Sequence, residues 1–135
     1  MSLKEEFSVA AIVYYENEYL LLKYGLGHWE FVKGHKEENE SDEQTILREL
    51  EEETGIIDPI ILKGFKENYD YYFTFKGQKI HKYVRCYLIE SKTKEVTISY
   101  EHEDYVWLSL HKAIKKVTFA NAKKLLRKAD MFRKK

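Results

Sequence analysis

"GHKEENESDEQTILRELEEETGI", residues 34–56, holds an unusual concentration of acidic side chains. Residues 37–58 carry ten acids and a single base, Arg48, although the whole chain has 23 Lys or Arg and 23 Asp or Glu. A solvated helix face usually mixes the two signs, because Glu and Lys four residues apart support each other. The missing lysines indicate either a tolerated acidic surface or a surface that binds cations.

The same stretch contains the start and stop signals of a helix. Ser41 followed three residues later by Gln44 matches a capping box, in which each residue satisfies the other's backbone N–H. Gly55 stands where a left-handed C-terminal cap is expected. These signals predict a helix from about Ser41 to Gly55.

On a helical wheel three of the acids cluster at the edge of the apolar face. With Arg48 at zero, Glu52, Glu49 and Glu53 fall at roughly 40°, 100° and 140°. Such carboxylates repel each other and raise each other's pKa unless a cation neutralises them, and hard divalent cations prefer oxygen ligands. The arc predicted to face the core, at roughly 160° to 260°, contains Ile46, Leu50, Thr54 and Leu47.

Length and composition favour a single cytoplasmic domain. The 135 residues are enough for one domain, 1–135, with a sizeable core. A single cysteine, Cys86, excludes an internal disulfide and fits a reducing compartment. Residues 1–6 have no apolar run typical of a signal peptide, and no apolar segment is long enough to span a membrane.

The rest of the chain alternates strand-like and helical patterns. Residues 112–135 carry ten Lys or Arg and one acid, Asp130, which leaves nucleic-acid binding as a less favoured alternative. An apolar stripe in this segment first predicts a packed helix, through Phe119, Ala122, Leu126 and Ala129. Together these patterns predict an α+β fold, one mixed sheet covered by helices. The strands are predicted at 7–15, 19–24, 29–32, 60–66, 69–75, 80–90 and 106–108.

The acidic stretch also matches a known motif at every position. From Gly34 it reads G-x5-E-x7-R-E-U-x-E-E-x-G-U, with U aliphatic, which is the Nudix box. The chain therefore resembles a Nudix hydrolase. The resemblance implies an α/β/α sandwich with a central mixed sheet, the box loop and helix on one side and the C-terminal helix on the other.

The resemblance also implies roles for the box residues. Nudix enzymes cleave a nucleoside diphosphate linked to another group, with Mg2+ or Mn2+ and water. Glu49, Glu52 and Glu53 match the metal-binding positions, and Glu49 is also a candidate for activating water. Gly34 matches the glycine whose carbonyl often completes the metal shell, and Arg48 would hold the glutamates by charge-assisted hydrogen bonds.

Two segments outside the box resemble the diadenosine tetraphosphate hydrolase branch. "HWEFVKGH", residues 28–35, is similar to its W-x-x-P-K-G-H entry, with Val32 where proline is common. "SYEHEDYVWL", residues 99–108, is similar to its S-x-E-H-x-x-Y-x-W-L segment. This likeness implies that Glu101 is a further metal ligand or the general base, with Glu103 as the alternative base.

Substrate contacts follow from the same likeness. Phosphates are expected to contact Lys33, His35, Lys79 and Lys82. Adenine is expected to stack on Tyr71 or Tyr72, since base–aromatic stacking contributes roughly 1–3 kcal/mol per base. His81 and His102 are expected to be surface or hydrogen-bonded residues rather than ligands, because Mg2+ prefers oxygen.

The resulting functional hypothesis is a Mg2+-dependent hydrolase that splits diadenosine tetraphosphate into ATP and AMP. Its partner would be a small nucleotide and not a membrane, and the chain would be a monomer or homodimer. Two alternative activities are a nucleoside triphosphate pyrophosphohydrolase and an RNA 5′-pyrophosphohydrolase, the latter favoured by the basic C-terminal segment. A non-catalytic nucleotide-binding module is the alternative from another class, although all the box acids are present.

Overall fold

The computed structural model describes residues 3–135. The prediction that residues 1–6 lack a signal peptide therefore falls partly outside the described residues, at Met1 and Ser2. In this part of the chain a single sheet runs in the order β3-β2-β1-β6-β5, with β4 paired to β1 and β7 paired to β2. Strands β1 and β6 are parallel and the other pairs are antiparallel, which confirms the predicted mixed sheet. The strands are β1 (Lys4–Tyr15), β2 (Glu18–Tyr24), β3 (Trp29–Glu30), β4 (Val32–His35), β5 (Ile60–Phe75), β6 (Gln78–Glu90) and β7 (His102–Ser109).

Helices cover both faces of this sheet, as the α/β/α hypothesis requires. They are α1 (Asp42–Thr54), α2 (Leu110–Lys116) and α3 (Ala120–Arg133). Successive strand residues point to opposite faces, so Val9 and Ala11 of β1 pack in the core that contains α1. Ala10 and Ile12 pack in the core that contains α2 and α3. No helix within residues 3–135 is both long and apolar enough to cross a membrane.

The predicted ends of α1 are confirmed. Ser41 Oγ accepts a hydrogen bond from the Gln44 backbone N–H at 3.1 Å, and Gln44 Oε1 accepts one from the Ser41 N–H at 2.8 Å. Gly55 is left-handed, with φ of 75°, and its N–H donates to the Glu51 carbonyl at 3.0 Å. The caps fix the start and length of the helix, and hence the direction in which its glutamates point.

Strands β5 and β7 are both longer than predicted. The segments 60–66 and 69–75 form one continuous strand, β5, with an irregular register between Ile61 and Lys66. Gly64 lies in this irregularity with φ of 94°, which a glycine adopts without strain. Strand β7 begins at His102, four residues before the predicted start, because it pairs with β2 as far as Tyr24.

The buried face of α1 differs from the predicted one at Leu47 and Glu53. Leu47 is 39% exposed, whereas Glu53, predicted at the edge, is buried. The helix is therefore turned so that its acidic edge, rather than Leu47, meets the rest of the protein. Phe119 was also predicted to be packed, but it is the N-cap residue of α3, outside the helical stripe, and is 49% exposed.

Candidate active site

Gly34 lets α1 approach β4 closely enough to place Glu49 against the strand. Gly34 pairs with Val9 of β1, and its φ is not positive, so backbone conformation does not require a glycine. A Cβ at this position would lie 2.0 Å from Glu49 Cδ and 2.2 Å from Glu49 Oε1. The absence of a side chain therefore makes room for the Glu49 carboxylate.

Arg48 joins the box loop to the helix through five hydrogen bonds. Its Nε and Nη2 donate to the two oxygens of Glu40 at 2.7 and 3.0 Å, and Nη2 also donates to the His35 carbonyl at 3.0 Å. Its Nη1 donates to Glu49 at 2.8 Å and to Glu52 at 3.4 Å. The Arg48 hydrogen bonds, followed by that of the Glu37 backbone, lower the pKa of Glu40 to about 2. Glu40 thus supports the loop that precedes α1.

Replacing Arg48 by Lys is expected to lower kcat by about 10- to 100-fold. An ammonium keeps the charge but cannot form the two parallel bonds to Glu40 while also holding Glu49, and losses of this size are typical when ligand-orienting partners are removed. Steady-state kinetics would measure the effect, with Arg127→Lys on the exposed face of α3 as the matched control. Wild-type kcat in the Arg48 variant would contradict the role.

Glu53 is the buried member of the acidic cluster. Its side chain is almost completely buried, with 5% of the residue exposed. Burial, then the hydrogen bond and charge of Glu49, then the charges of Glu101 and Glu52 raise its pKa to about 10. Its Oε1 has no hydrogen-bond partner among the described residues. A carboxyl group in this environment is stabilised in its charged form only by a nearby cation.

The segment before β7 is fastened to the C-terminal end of α1. The Thr97 N–H donates to the Thr54 carbonyl at 2.9 Å, and the Ser99 N–H donates to the Glu53 carbonyl at 3.2 Å. Glu101, an exposed residue in the following turn, is thereby brought into electrostatic contact with Glu53. The structure thus brings Glu101 within electrostatic range of Glu53, although the two lie 48 positions apart in the sequence.

Within residues 3–135, no three acidic, histidine or cysteine side chains stand together as a ready metal shell. Arg48 instead engages Glu49 and Glu52. Two observations nevertheless fit a hard divalent cation. The candidate ligands are all carboxylate or carbonyl oxygens, and the buried Glu53 Oε1 accepts no aligned hydrogen bond from the described residues. The residues present therefore suit Mg2+ or Mn2+.

Basic and aromatic side chains meet on the other side of β4. Lys33 Nζ lies 3.1 Å from Glu30, 3.5 Å from the Tyr71 hydroxyl and 5.8 Å from the centre of the Tyr71 ring. Lys82 is buried, and burial followed by the charge of Lys33 lowers its pKa. Burial, then Lys82, also lowers the pKa of His35. Four of the predicted substrate contacts, Lys33, His35, Tyr71 and Lys82, therefore lie together.

The remaining two predicted contacts lie apart from this group. Tyr72 is paired with His81 across β5 and β6 and stacks on its ring at 4.1 Å, while Tyr71 is paired with Lys82. Because neighbouring strand residues point to opposite faces, Tyr72 faces away from Tyr71. The Lys79 Nζ lies over the Tyr72 ring at 5.3 Å, so it shares that face. Only Tyr71 of the two tyrosines lies near Lys33.

Sequence reasoning missed two residues that shape the site, Glu30 and Tyr24, and it expected His102 to be only a surface or hydrogen-bonded residue. Glu30 is buried and pairs with both Lys33 and His28. The Tyr24 hydroxyl donates to the Phe31 carbonyl at 2.8 Å, and its ring meets the edge of His102. His102 is itself buried, 3.2 Å from Glu53. Its position next to Glu101 in the branch-like segment was the only available signal.

Comparison with known proteins identifies the class. The model of the NUDIX domain matches residues 4–129. The chain therefore belongs to the Nudix family, and it is a pyrophosphohydrolase of that family.

Its relatives include proteins with one particular activity. The asymmetrical bis(5'-nucleosyl)-tetraphosphatase of Rattus norvegicus is 38% identical over 121 residues, 85% of this chain and 80% of the relative. The protein of that name from Sus scrofa is 39% identical over 121 residues, with the same coverage. Among solved structures, a C. elegans Ap4A hydrolase binary complex is similar with a TM-score of 0.81 and 29% identity, covering 94% of this chain and 96% of that one.

Proposed function

We propose that this protein hydrolyses diadenosine tetraphosphate to ATP and AMP with Mg2+ or Mn2+. The observation that carries the proposal is Glu53, a buried carboxyl whose Oε1 has no aligned hydrogen bond among the described residues and which feels the charges of Glu49, Glu101 and Glu52. The relatives named as asymmetrical tetraphosphatases support the choice of substrate. The group of basic and aromatic side chains around Lys33 supports a substrate with phosphates and a flat base.

The metal would be held by oxygen ligands from two parts of the chain. Glu49, Glu52 and Glu53 of α1 and the Gly34 carbonyl of β4 form one set, and Glu101 would complete it from the opposite turn. A bound divalent ion polarises the phosphoryl group and lowers the pKa of a bound water.

The substrate would lie between these acids and the basic group. Lys33 and Lys82 would neutralise phosphate oxygens as point charges, and His35 would contact a neighbouring phosphate. Tyr71 would stack on one adenine. Lys33, His35, Tyr71 and Lys82 lie together, whereas Lys79 and Tyr72 lie on the opposite face of the sheet. Lys79 and Tyr72 are therefore the weaker members of the predicted set.

The reaction would break one phosphoanhydride bond. Water forms a new P–O bond while the bridging P–O bond breaks and its electron pair leaves with the other phosphate chain. A carboxylate accepts the proton of the attacking water. Glu49 is the first candidate, since it lies against Gly34 in the box, and Glu101 and Glu103 are the alternatives.

The test is chromatographic product analysis with Mg2+. Diadenosine tetraphosphate, a panel of nucleoside triphosphates and 5′-triphosphorylated RNA are offered in parallel to wild type and Glu52→Gln. We expect ATP and AMP from the first substrate, and a loss of turnover on the order of a thousandfold in the variant. Glu51→Gln is the matched control, because Glu51 is exposed on the same helix but lies outside the set of predicted ligands.

Each other outcome has a definite meaning. Preference for a triphosphate or for RNA would keep the metal site and overturn the substrate. Binding of nucleotide without turnover of any substrate would favour the non-catalytic module and overturn the proposed reaction.

A further inference from the structure

His102 is a buried polar residue with a defined set of neighbours. Its side chain is 1% exposed, and the edge of its ring meets the Tyr24 ring at 4.5 Å between centres. Its Nδ1 lies 3.2 Å from Ser99 Oγ, and its Nε2 lies 3.2 Å from Glu53 Oε1. The imidazole ring is therefore almost completely shielded from solvent.

These contacts indicate which nitrogen carries the proton. The Ser99 hydroxyl is a donor that can satisfy Nδ1 as an acceptor, which leaves the proton of a neutral ring on Nε2. When a bound cation keeps Glu53 ionised, the opposite tautomer would direct a lone pair of Nε2 at a charged carboxylate oxygen. Nε2–H is therefore the form that can bond to Glu53 Oε1 when Glu53 is a metal ligand.

The contact is close but not yet aligned. Glu53 Oε1 and His102 Nε2 are two of the three buried side-chain atoms in residues 3–135 that lack a hydrogen bond of good geometry. Each is the other's nearby complementary group, at a distance typical of a weak hydrogen bond. Hydrogen bonds of this kind often tighten only when a catalytic site is loaded.

We propose that His102 is a positioning residue, which donates a hydrogen bond from Nε2 to Glu53 and so orients this carboxylate toward the divalent cation. The inference rests on the proposed function, in which Glu53 is a metal ligand. Ligating carboxylates are generally held by outer hydrogen bonds, and removal of such a partner typically weakens metal affinity 10- to 100-fold. Ser99 fixes the imidazole relative to α1, because its backbone N–H donates to the Glu53 carbonyl and its hydroxyl contacts His102 Nδ1.

The test uses two amides that reproduce different ring nitrogens. The amide nitrogen of Gln in His102→Gln reaches the position of Nε2, whereas that of Asn in His102→Asn reaches only the position of Nδ1. Mn2+ affinity is measured by electron paramagnetic resonance on the free protein, without substrate. We expect about 10- to 100-fold weaker binding for the Asn variant and near wild-type binding for the Gln variant. His111→Asn, at an exposed position of α2, is the matched control.

A double-mutant cycle with Glu53→Gln separates this role from general packing. If His102 acts through Glu53, His102→Asn changes Mn2+ affinity in the wild-type background and not in the Glu53→Gln background. Equal losses in both backgrounds, or wild-type affinity in His102→Asn, would overturn the inference. Wild-type affinity in Glu53→Gln alone would instead overturn the proposed metal site. Thermal unfolding of each variant verifies that the compared proteins are folded.

Discussion

Glu53→Gln is expected to reduce turnover on the order of a thousandfold while making the metal-free protein more stable, by about 1 kcal/mol. Gln replaces a charged ligand by a neutral one, so the cation is held more weakly and the chemical step slows. The same substitution removes a buried carboxyl surrounded by the charges of Glu49, Glu101 and Glu52. Because its pKa is raised to about 10, this carboxyl must take up a proton when the metal-free protein folds at neutral pH, which costs stability. A neutral amide of the same shape avoids that cost, and opposite effects on activity and stability result.

Thermal unfolding with a chelator and with Mg2+ measures both sides of this prediction. Mg2+ is expected to raise the melting temperature of the wild type, because a ligand that binds only the folded state stabilises it. Glu53→Gln should melt higher than wild type in chelator and gain little from Mg2+. Glu51→Gln should follow the wild type in every condition. A Glu53→Gln protein that is less stable in chelator and still gains fully from Mg2+ would contradict the proposed role of this residue.

The parts of the molecule that sequence predicted well are set by local spacing. Ser41, Gln44 and Gly55 specify the ends of α1 through contacts within a few residues. The box spacing places Arg48 and the three glutamates on that helix, and the order of strand-like and helical segments predicts the mixed sheet. Such features depend on backbone periodicity, which a sequence displays directly.

The parts that sequence could not predict depend on which distant elements meet. The sequence does not distinguish the neighbouring tyrosines Tyr71 and Tyr72. Only the register of β5 on β6 determines that Tyr71 faces Lys33. Leu47 and Glu53 exchange their predicted environments because the segment before β7 packs on the acidic edge of α1. His102 is buried for the same reason. Long-range packing overrode the local amphipathic pattern at each of these positions.

Gly34→Ala is expected to lower kcat at least 100-fold with little change in overall fold. The new Cβ would lie 2.0 Å from Glu49 Cδ, a distance that no real contact allows, so the Glu49 carboxyl must leave its place between Arg48 and β4. The backbone of Gly34 tolerates alanine, since its φ is not positive. The effect is therefore on the position of a reactive group and not on secondary structure.

Gly25→Ala is the matched control, because its Cβ would meet nothing within 4 Å and its φ is also not positive. Steady-state kinetics and circular dichroism of both variants decide the matter. A Gly34→Ala enzyme with wild-type kcat would mean that catalysis does not depend on the observed position of Glu49. Glu101 would then become the first candidate for the general base.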